Sequence, residues 1–424
     1  MKATKIFMMA ALALTFAACS NNDDNDFAQQ PIEQPANGEI TITATLEAND
    51  GASTRALSLD GSNIASTWET TDEFAILYNN GTEDAKSIAT VDKIDGTTVT
   101  ITFTIPASLA SNTPCTIVYP ASAAKADNTG ADVATALAAQ DGTIGNCPEV
   151  RVGTATIDKD NHNLTSVTKL TAQNAIFKFT LQDLSAGAKS ATEFKVSDGS
   201  GNVITTVTPG SASGELYVAL PVMAAGTYWF NATINSKPYI AKATTAAATV
   251  AGKYYQTTVK MATIGDVILD NGKFAARSST GTKVAMIAYV GSETDHATYK
   301  HGLALALTDK GSMNWTTATG ASGAAAHTPA APTTTSSWQL PSKVQWTKMI
   351  DACKNVLGTQ NNYQDLRNGF SGITGASNLQ SADYWSSTEY ESGSAWYYHF
   401  NGSGNWLSVS KSLSAPRVRA CLAF

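Results

Sequence analysis

The sequence predicts a mostly β protein in which two tandem β-sandwich domains precede a compact α+β domain. Charged residues make up only 15% of the 424 residues, whereas about 25% is usual in soluble domains. Stretches of alternating apolar and polar residues recur along the first two thirds, and turn-forming Asn, Asp and Gly residues separate them. Such alternation indicates strands with one face on a core and the other in water.

Composition also excludes some classes of function. Hydrophobic residues reach 43%, which is enough to build cores and excludes wholesale disorder. The formal net charge is −7, so the chain offers no basic surface for a phosphate backbone. We therefore expect no nucleic-acid partner.

The first residues form a targeting segment. Lys2 and Lys5 precede the apolar run 6–16, which has the length of a signal-peptide core and is too short to span a bilayer. The run ends in Phe16-Ala-Ala-Cys19, which resembles a bacterial lipobox. We predict a lipoprotein signal peptide at 1–18 with lipidation of Cys19. A plain signal peptide that is cut nearby is the alternative.

Residues 19–38 read as an acidic, polar tether. The stretch Ser20-Asn-Asn-Asp-Asp-Asn-Asp26 resembles the signal that brings lipoproteins of Bacteroidota to the outer face of the outer membrane. A solvated linker explains the same residues. We expect a location at the cell surface, with the membrane reached through the Cys19 lipid.

Two β-sandwich domains are predicted at 39–148 and 149–263. The clearest alternating runs are Ile40–Leu46, Val99–Ile105 and Ala175–Leu181. Further strands are expected at 74–78, 116–119, 216–220, 228–234 and 254–259, and a short helix at 133–139. Many short strands joined by tight turns are typical of sandwiches.

Several phrases of this region resemble the fimbrillin family, the lipoprotein pilins of Bacteroidota. They are Thr54-Arg-Ala56, Trp68-Glu-Thr-Thr-Asp72, Ile117-Val-Tyr-Pro120, Leu216-Tyr-Val-Ala-Leu-Pro221 and Gly252-Lys-Tyr-Tyr255. The resemblance implies transthyretin-like, Greek-key sandwich domains and a pilus subunit that associates with other pilin subunits.

The run Ile40–Leu46 acquires a meaning from that resemblance. Ile40, Ile42, Ala44 and Leu46 share one face of a strand, so removal of the strand would expose an apolar groove. Family members are cut after an Arg at this place, which implies cleavage between Arg55 and Ala56. A neighbouring subunit then supplies a replacement strand by strand addition. An exposed Arg in an uncut loop is the alternative.

The last domain, 264–424, differs in character, because it holds six of the eight tryptophans. Its low-complexity stretch 318–336 is expected to be a loop with no reason to pack. A helix is predicted to begin at Ser342, its N-cap. An apolar stripe at helical spacing, which indicates a core-facing side, follows: Trp346, Met349, Ile350, Cys353, Val356 and Leu357.

Three phrases here resemble bacterial surface lipoproteins related to the C-type lectin-like and sulfatase-modifying-factor folds. They are Trp338-Gln-Leu-Pro-Ser342, Tyr384-Trp-Ser-Ser-Thr388 and Arg417-Val-Arg419. The resemblance implies a C-type-lectin-like α+β domain. Many relatives of that fold bind sugars or proteins, although a fold alone does not fix a function.

Candidate ligand-binding residues lie on or between the closing strands, where lectin-like folds place their ligand loops. They are Glu389, Glu391, His399, Asn401, Asn405 and Trp406. Aromatic faces stack on sugar rings, and oxygen ligands could hold calcium, although the sequence signatures of calcium-dependent lectins are absent. For each of these residues, the interpretation as a turn or core residue is the favoured alternative.

We expect no enzyme, no metal and no cofactor. The five histidines are scattered without a ligand pattern, and neither a nucleophile elbow nor a phosphate loop is present. After Cys19, four cysteines remain, and the domain assignment allows the disulfides Cys115–Cys147 and Cys353–Cys421. Free buried thiols are the alternative for each pair.

These observations together predict a fimbrial subunit. The strand 417–424 reads as part of the last domain, so the chain would accept a strand and have none to give. We therefore expect a tip adhesin, assembled after cleavage at Arg55, whose last domain binds a glycan or a host or bacterial surface protein. The alternative is a permanently anchored, glycan-binding lipoprotein of a nutrient-uptake system.

Overall fold

The computed structural model describes residues 38–47, 58–60, 63–65, 68–357, 363–402 and 404–424. Within these ranges the protein is mostly β with few helices, which confirms the predicted class. The predicted signal peptide, Cys19, Arg55 and Ala56 lie outside the described residues. In the described part, no helix is both long and apolar enough to cross a membrane.

The first module is one barrel-like sheet. The strands of this part of the chain are β1 (Glu39–Glu47), β2 (Ser58–Asp60), β3 (Asn63–Ala65), β4 (Glu73–Asn79), β5 (Asp84–Asp95), β6 (Thr98–Pro106), β7 (Thr113–Tyr119), β8 (Ala139–Gln140), β9 (Arg151–Asp158), β10 (Asn163–Thr165) and β11 (Thr171–Ala172). A 3-10 helix (Ala121–Ala123) and the predicted short helix, α1 (Val133–Ala136), lie among them.

Pairing closes this sheet on itself. Its order is β10-β1-β6-β5-β4-β7-β9-β11, and β10 also pairs with β9. The short strand β10 thus bridges β1 and β9, so the predicted two-layer sandwich is replaced by a barrel-like module. Strands β2 and β3 form a separate hairpin. The alternation predicted for β6 is confirmed, since Val99, Ile101 and Phe103 are buried in the barrel core.

The second module is an eight-stranded sheet that folds over one core. Its further strands are β12 (Asn174–Asp183), β13 (Glu193–Ser197), β14 (Val203–Val207), β15 (Glu215–Pro221), β16 (Gly226–Ile234), β17 (Lys237–Thr245) and β18 (Tyr254–Thr263). The order is β15-β12-β18-β17-β16-β13-β14-β8. Strands from both halves of this order line the same core, among them Phe179 of β12 and Phe230 of β16, whose ring centroids are 5.5 Å apart.

The boundary between the first two modules differs from the one predicted at 148/149. Strands β9 to β11 belong to the first sheet, and only β8 crosses to the second. The reason is a seven-residue antiparallel ladder between β7 and β9, a non-local pairing that spacing along the chain does not reveal. A small shared core, which includes Leu77 and Ile176, joins the two modules.

In its described residues, the third module contains two five-stranded sheets and three helices. Its strands are β19 (Val267–Leu269), β20 (Phe274–Ala275), β21 (Lys283–Val290), β22 (Gly302–Ala306), β23 (Gly311–Ser312), β24 (Asp383–Glu391), β25 (Ser394–His399), β26 (Asn405–Ser410), β27 (Arg417–Val418) and β28 (Cys421–Ala423). Its helices are α2 (Trp315–Thr319), α3 (Lys343–Val356) and α4 (Tyr363–Asn368), with a 3-10 helix at Ala324–Ala326. The sheet orders are β20-β19-β21-β22-β28 and β23-β27-β24-β25-β26.

Helix α3 begins as the sequence predicts. The Ser342 hydroxyl accepts from the backbone N–H of Gln345, and the Gln345 side chain accepts from the backbone N–H of Ser342, a capping box. Trp346, Met349 and Cys353 on its apolar stripe are fully buried.

The prediction that the stretch 318–336 is an unpacked loop is wrong. Ala318 and Ala324 of this stretch belong to the core of the third module. Low complexity therefore does not mean a free loop.

The second and third modules share one hydrophobic core. Trp229, Ile240 and Ala262 of the second module pack with residues of the third. The Trp229 ring stacks on His301 with centroids 3.8 Å apart and faces Phe424 at 6.5 Å. The two modules are therefore held together by apolar contacts, not by a loose linker.

Candidate functional site

Strand β1 is the best-defined candidate for an assembly element. It pairs with β6 along all nine of its residues, from Glu39↔Pro106 to Glu47↔Thr98. On its other side it meets β10 at a single parallel bridge, Thr43↔Asn163. The predicted face is confirmed, because Ile42, Ala44 and Leu46 are buried, and the partly buried Ile40 packs against the same core.

The ends of β1 are fixed by a few polar contacts. The carbonyl of Gly38 accepts from the backbone N–H of Ala107 (2.6 Å), and the carbonyl of Glu47 accepts from that of Leu170 (2.8 Å). The Glu47 carboxylate also pairs with Lys169 at 2.6 Å, but both side chains are about half exposed, so this ion pair contributes little. Burial of two large aliphatic side chains, Ile42 and Leu46, contributes more, at roughly 1.5–3 kcal/mol each.

Strand β1 covers one edge of β6 and part of the barrel core. Its departure would leave the backbone of β6 unpaired on one side and uncover the inward side chains of Ile101, Phe103 and Ile105. An extended segment could restore both the main-chain hydrogen bonds and the apolar contacts, which is the physical basis of strand addition. The segment 48–57, which holds Arg55 and Ala56, lies outside the described residues.

The six candidate ligand residues of the third module fall into separate places. Glu389 and Glu391 lie at the β24–β25 hairpin end, where Glu389 pairs with Lys411 at 3.0 Å and Glu391 accepts from the Ser394 hydroxyl at 2.9 Å. Each carboxylate thus has a partner, Glu389 just beyond β26 and Glu391 within the hairpin.

The other candidates lie at the opposite end of β25. His399 and Asn405 are cross-strand partners, and His399 Nδ1 lies 2.5 Å from a carboxylate oxygen of Asp383. Asn401 accepts from the backbone N–H of Gly402 in the following turn. Trp406 pairs instead with Tyr398 and packs edge-on against its ring at 5.2 Å. Because side chains alternate along a strand, Trp406 and His399 point to opposite faces.

The six residues therefore do not converge on one ligand. Across the described ranges, no group of three or more His, Cys, Asp and Glu side chains is placed to hold a metal ion. The prediction of these six residues as binding residues remains untested, and the geometry separates Glu389 and Glu391 at one end of the sheet from the other four at the other end.

A neighbouring cluster escaped the sequence analysis. Trp396 lies on the same sheet face as Trp406, diagonally across the β25–β26 ladder, and Tyr390 packs edge-on against Trp396 at 4.9 Å. The ammonium of Lys343, the first residue of α3, sits 3.4 Å from the centre of the Trp396 ring. The ten-residue separation of Trp396 and Trp406 around a turn could have indicated their shared face, but nothing local points to Lys343.

The four cysteines that the structure describes are free and buried. Of the two alternatives, disulfides and free thiols, the structure therefore contains free thiols. Cys115 lies in the barrel core and Cys147 in the core between the first two modules. Cys353 and Cys421 lie in the core of the third module. Burial raises the pKa of the Cys115 and Cys147 thiols to about 12 and raises those of the other pair further. Such thiols stay protonated, so they are poor nucleophiles.

Similarity to known proteins is found among solved structures. No family model matches the sequence, and no curated protein matches it. Among solved structures, it is similar to a fimbrial protein from Bacteroides ovatus, at 13% identity and a TM-score of 0.30, over 91% of this chain and 99% of that chain.

Two other similar structures carry related descriptions. The tip fimbrial protein Mfa3 from Porphyromonas gingivalis, truncated at its C-terminus, matches over 49% of this chain and 81% of that chain, at 11% identity and a TM-score of 0.23. A fimbrial assembly protein from Parabacteroides distasonis matches over 52% of this chain and 90% of that chain, at 9% identity and a TM-score of 0.27. A likeness at such low identities and TM-scores does not by itself establish a function.

Proposed function

We propose that this protein is a fimbrial subunit of the Bacteroidales type that is exported as a lipoprotein and assembled by strand exchange after cleavage at Arg55. The observation that carries the proposal is strand β1. It is a complete strand of the first barrel, it packs on the core through one face only, and a segment of ten residues separates its end at Glu47 from β2 at Ser58. Cleavage in that segment would let β1 leave.

A second observation supports a place at the end of the polymer. The segment 417–424 is held inside the third module, where Leu422 is fully buried and β28 pairs with β22. The backbone of Phe424 donates to the carbonyl of Gly302, and its carbonyl accepts from His301 and Gly302. This strand is therefore not available to a neighbouring subunit.

The shared core of the second and third modules fits the same role. A tip adhesin transmits force from its ligand to the stalk, and apolar packing around Trp229 couples the two modules. In this proposal the third module binds a glycan or a surface protein, and the protein resides in the fimbrium at the cell surface.

Cleavage can be tested in cells that assemble fimbriae. We expect the protein in purified fimbriae to begin at Ala56, and an Arg55→Ala variant to keep its lipid and to be missing from fimbriae. Thr54→Ala, one residue away, is the matched control and should behave like the unaltered protein. If fimbriae contain a form that still begins at Cys19, the processing step is wrong. If the protein stays lipidated and never enters fimbriae, the anchored glycan-binding lipoprotein becomes the better account.

A further inference from the structure

The third module carries a cluster of aromatic residues and a lysine on its surface, of which Trp406 also packs against the core. The Trp–Lys patch consists of Lys343, Tyr390, Trp396 and Trp406. Tyr390 is 54% exposed, and the two tryptophans and the lysine are half-buried. The Lys343 ammonium lies 3.4 Å from the Trp396 ring centre and 5.4 Å from that of Trp406.

The two tryptophans of the patch differ from the others in the module. The remaining four each donate their indole N–H to a backbone carbonyl: Trp315 to Ser386, Trp338 to Pro329, Trp346 to Trp385 and Trp385 to Met313. Among the described residues, neither Trp396 nor Trp406 has such an acceptor. Two indole N–H donors are therefore left for solvent or a ligand, beside partly open aromatic surface.

The lysine of the patch is also different from its neighbours. Lys348 and Lys354 on the same helix pair with Glu293 and Asp351, and Lys411 pairs with Glu389. Lys343 has no carboxylate partner among the residues that the structure describes. Its backbone N–H donates to the Thr388 hydroxyl at 3.0 Å, which fixes the start of α3 against β24 and keeps the side chain over the rings.

The chemistry of the patch selects one class of ligand. Aromatic rings offer a surface for the C–H face of a sugar ring, while indole N–H groups and an ammonium donate to oxygens. An unpaired cation at the centre favours a ligand with a negative charge, because a charge-assisted hydrogen bond to a carboxylate is stronger than one to a hydroxyl. The two glutamates of the β24–β25 hairpin have other partners, since Glu389 pairs with Lys411 and Glu391 accepts from the Ser394 hydroxyl.

We propose that the Trp–Lys patch binds an acidic sugar, with its carboxylate on Lys343 and its ring against Tyr390 and Trp406. This inference refines the proposed function by naming the ligand class of the third module. It does not depend on cleavage or strand exchange, so the two proposals can fail separately.

The test uses the full chain, not cleaved at Arg55, and measures the binding of sugars by calorimetry. The probes are sialyllactose and a galacturonic acid trimer, which carry carboxylates from two different sugars, and lactose as the neutral counterpart. We expect at least one acidic probe to bind about tenfold more tightly than lactose, the factor that corresponds to one charge-assisted contact. The response to each acidic probe distinguishes a sialic from a uronic acid ligand.

Variants assign the binding to the patch. Lys343→Gln should abolish the preference for acidic over neutral sugar, whereas Lys343→Arg should keep it. Lys354→Gln, on the same helix and already ion-paired, is the matched control and should change nothing. Tyr390→Ala should weaken all sugar binding, and because Tyr390 is exposed, its loss should not unfold the module. Thermal unfolding of each variant checks this.

Several results would overturn the inference. They are the absence of binding to both acidic probes, an unchanged preference in Lys343→Gln, and competition by a poly-glutamate peptide as strong as that by the sugars. The last result would identify an acidic peptide as the partner. None of these results would bear on whether Arg55 is cleaved, which protein sequencing of fimbriae decides independently.

Discussion

Two strands of the molecule are held in opposite ways. Strand β1 shows one face to the barrel core and the other to water, since Thr43 and Thr45 are exposed. Strand β28 is buried on both faces, and the adjoining Phe424 is buried as well. The chain also covers the outer edge of β28, where Gln339 and Cys421 exchange backbone hydrogen bonds. One strand thus packs on its core through one face only, as our proposal of strand exchange requires, and the other is enclosed on both faces.

The largest expected effect follows from a charge in the buried strand. Leu422→Asp should destabilise the second and third modules together by more than about 4 kcal/mol, because it places an unpaired carboxylate in their shared core. Urea unfolding followed by tryptophan fluorescence measures this, since most tryptophans lie there. Leu413→Asp is the control, because Leu413 is 40% exposed, and it should stay within about 0.5 kcal/mol. A loss below about 1 kcal/mol for Leu422→Asp would contradict the buried placement.

The same change in β1 should have a smaller and local effect. Leu46→Asp should release β1 from the barrel at a cost of about 3 kcal/mol, since the strand can leave without unfolding the rest. Hydrogen exchange should then accelerate in β1 and β6 and stay slow in the second and third modules. Thr45→Asp, one residue away on the exposed face, should leave exchange unchanged. Cooperative unfolding of the entire chain by Leu46→Asp would refute the replaceable character of β1.

The contact between the second and third modules should depend on pH. Burial lowers the pKa of His301 from 6.5 to about 4, an effect that Asp198 opposes and Lys242 reinforces. Between these values the unfolded chain binds a proton that the folded chain does not, so stability falls as the pH falls from 7 to 5.

Substitution of His301 isolates this contribution. His301→Phe keeps an aromatic ring on Trp229 and removes the titration. Between pH 7 and pH 5, the free energy of unfolding of the variant should therefore fall by about 1–2 kcal/mol less than that of the unaltered protein. Urea unfolding at both pH values measures the difference, and other titrating groups cancel because both proteins contain them. Equal losses in the two proteins would show that His301 does not titrate as its burial implies.

The smallest effect concerns the start of α3. Ser342→Ala removes the capping contact to the Gln345 backbone and should cost about 1 kcal/mol. Thr347→Ala, at an exposed position of the same helix, should be nearly neutral. Thermal unfolding of the pair measures the difference. A neutral Ser342→Ala would mean that tertiary packing, not the cap, fixes the helix start.

Local patterns predicted the elements well, and pairing across the chain explains what they missed. Alternation located β1, β6 and β12, and Ser342 marked the start of α3, because those signals lie within one element. Closure of the first barrel depends on the contact of β10 with β1, whose paired residues Thr43 and Asn163 are far apart in the chain. Alternating residues are compatible with a sandwich or a barrel, so the sequence alone could not choose.

The candidate sites show the same limit. The inward face of β1 followed from its own residues, whereas the Trp–Lys patch joins the start of α3 to the three strands β24, β25 and β26. Sequence analysis named Trp406 as a candidate but not Trp396, which the β25–β26 ladder places on the same face, and not Lys343, which only the packing of α3 on β24 brings there. Arg55 depends on a family resemblance alone, and its segment lies outside the described residues.

The central claim is that the first module accepts a replacement strand once β1 has gone, and peptide binding tests it most directly. A labelled peptide of residues 38–47 is added to a chain that begins at Ala56 and to a chain that keeps β1, and fluorescence anisotropy measures binding. We predict binding to the first chain only, and none by a peptide in which Ile42 and Leu46 are both replaced by Asp. Equal binding by the two chains, or no binding by the chain that begins at Ala56, would contradict the claim.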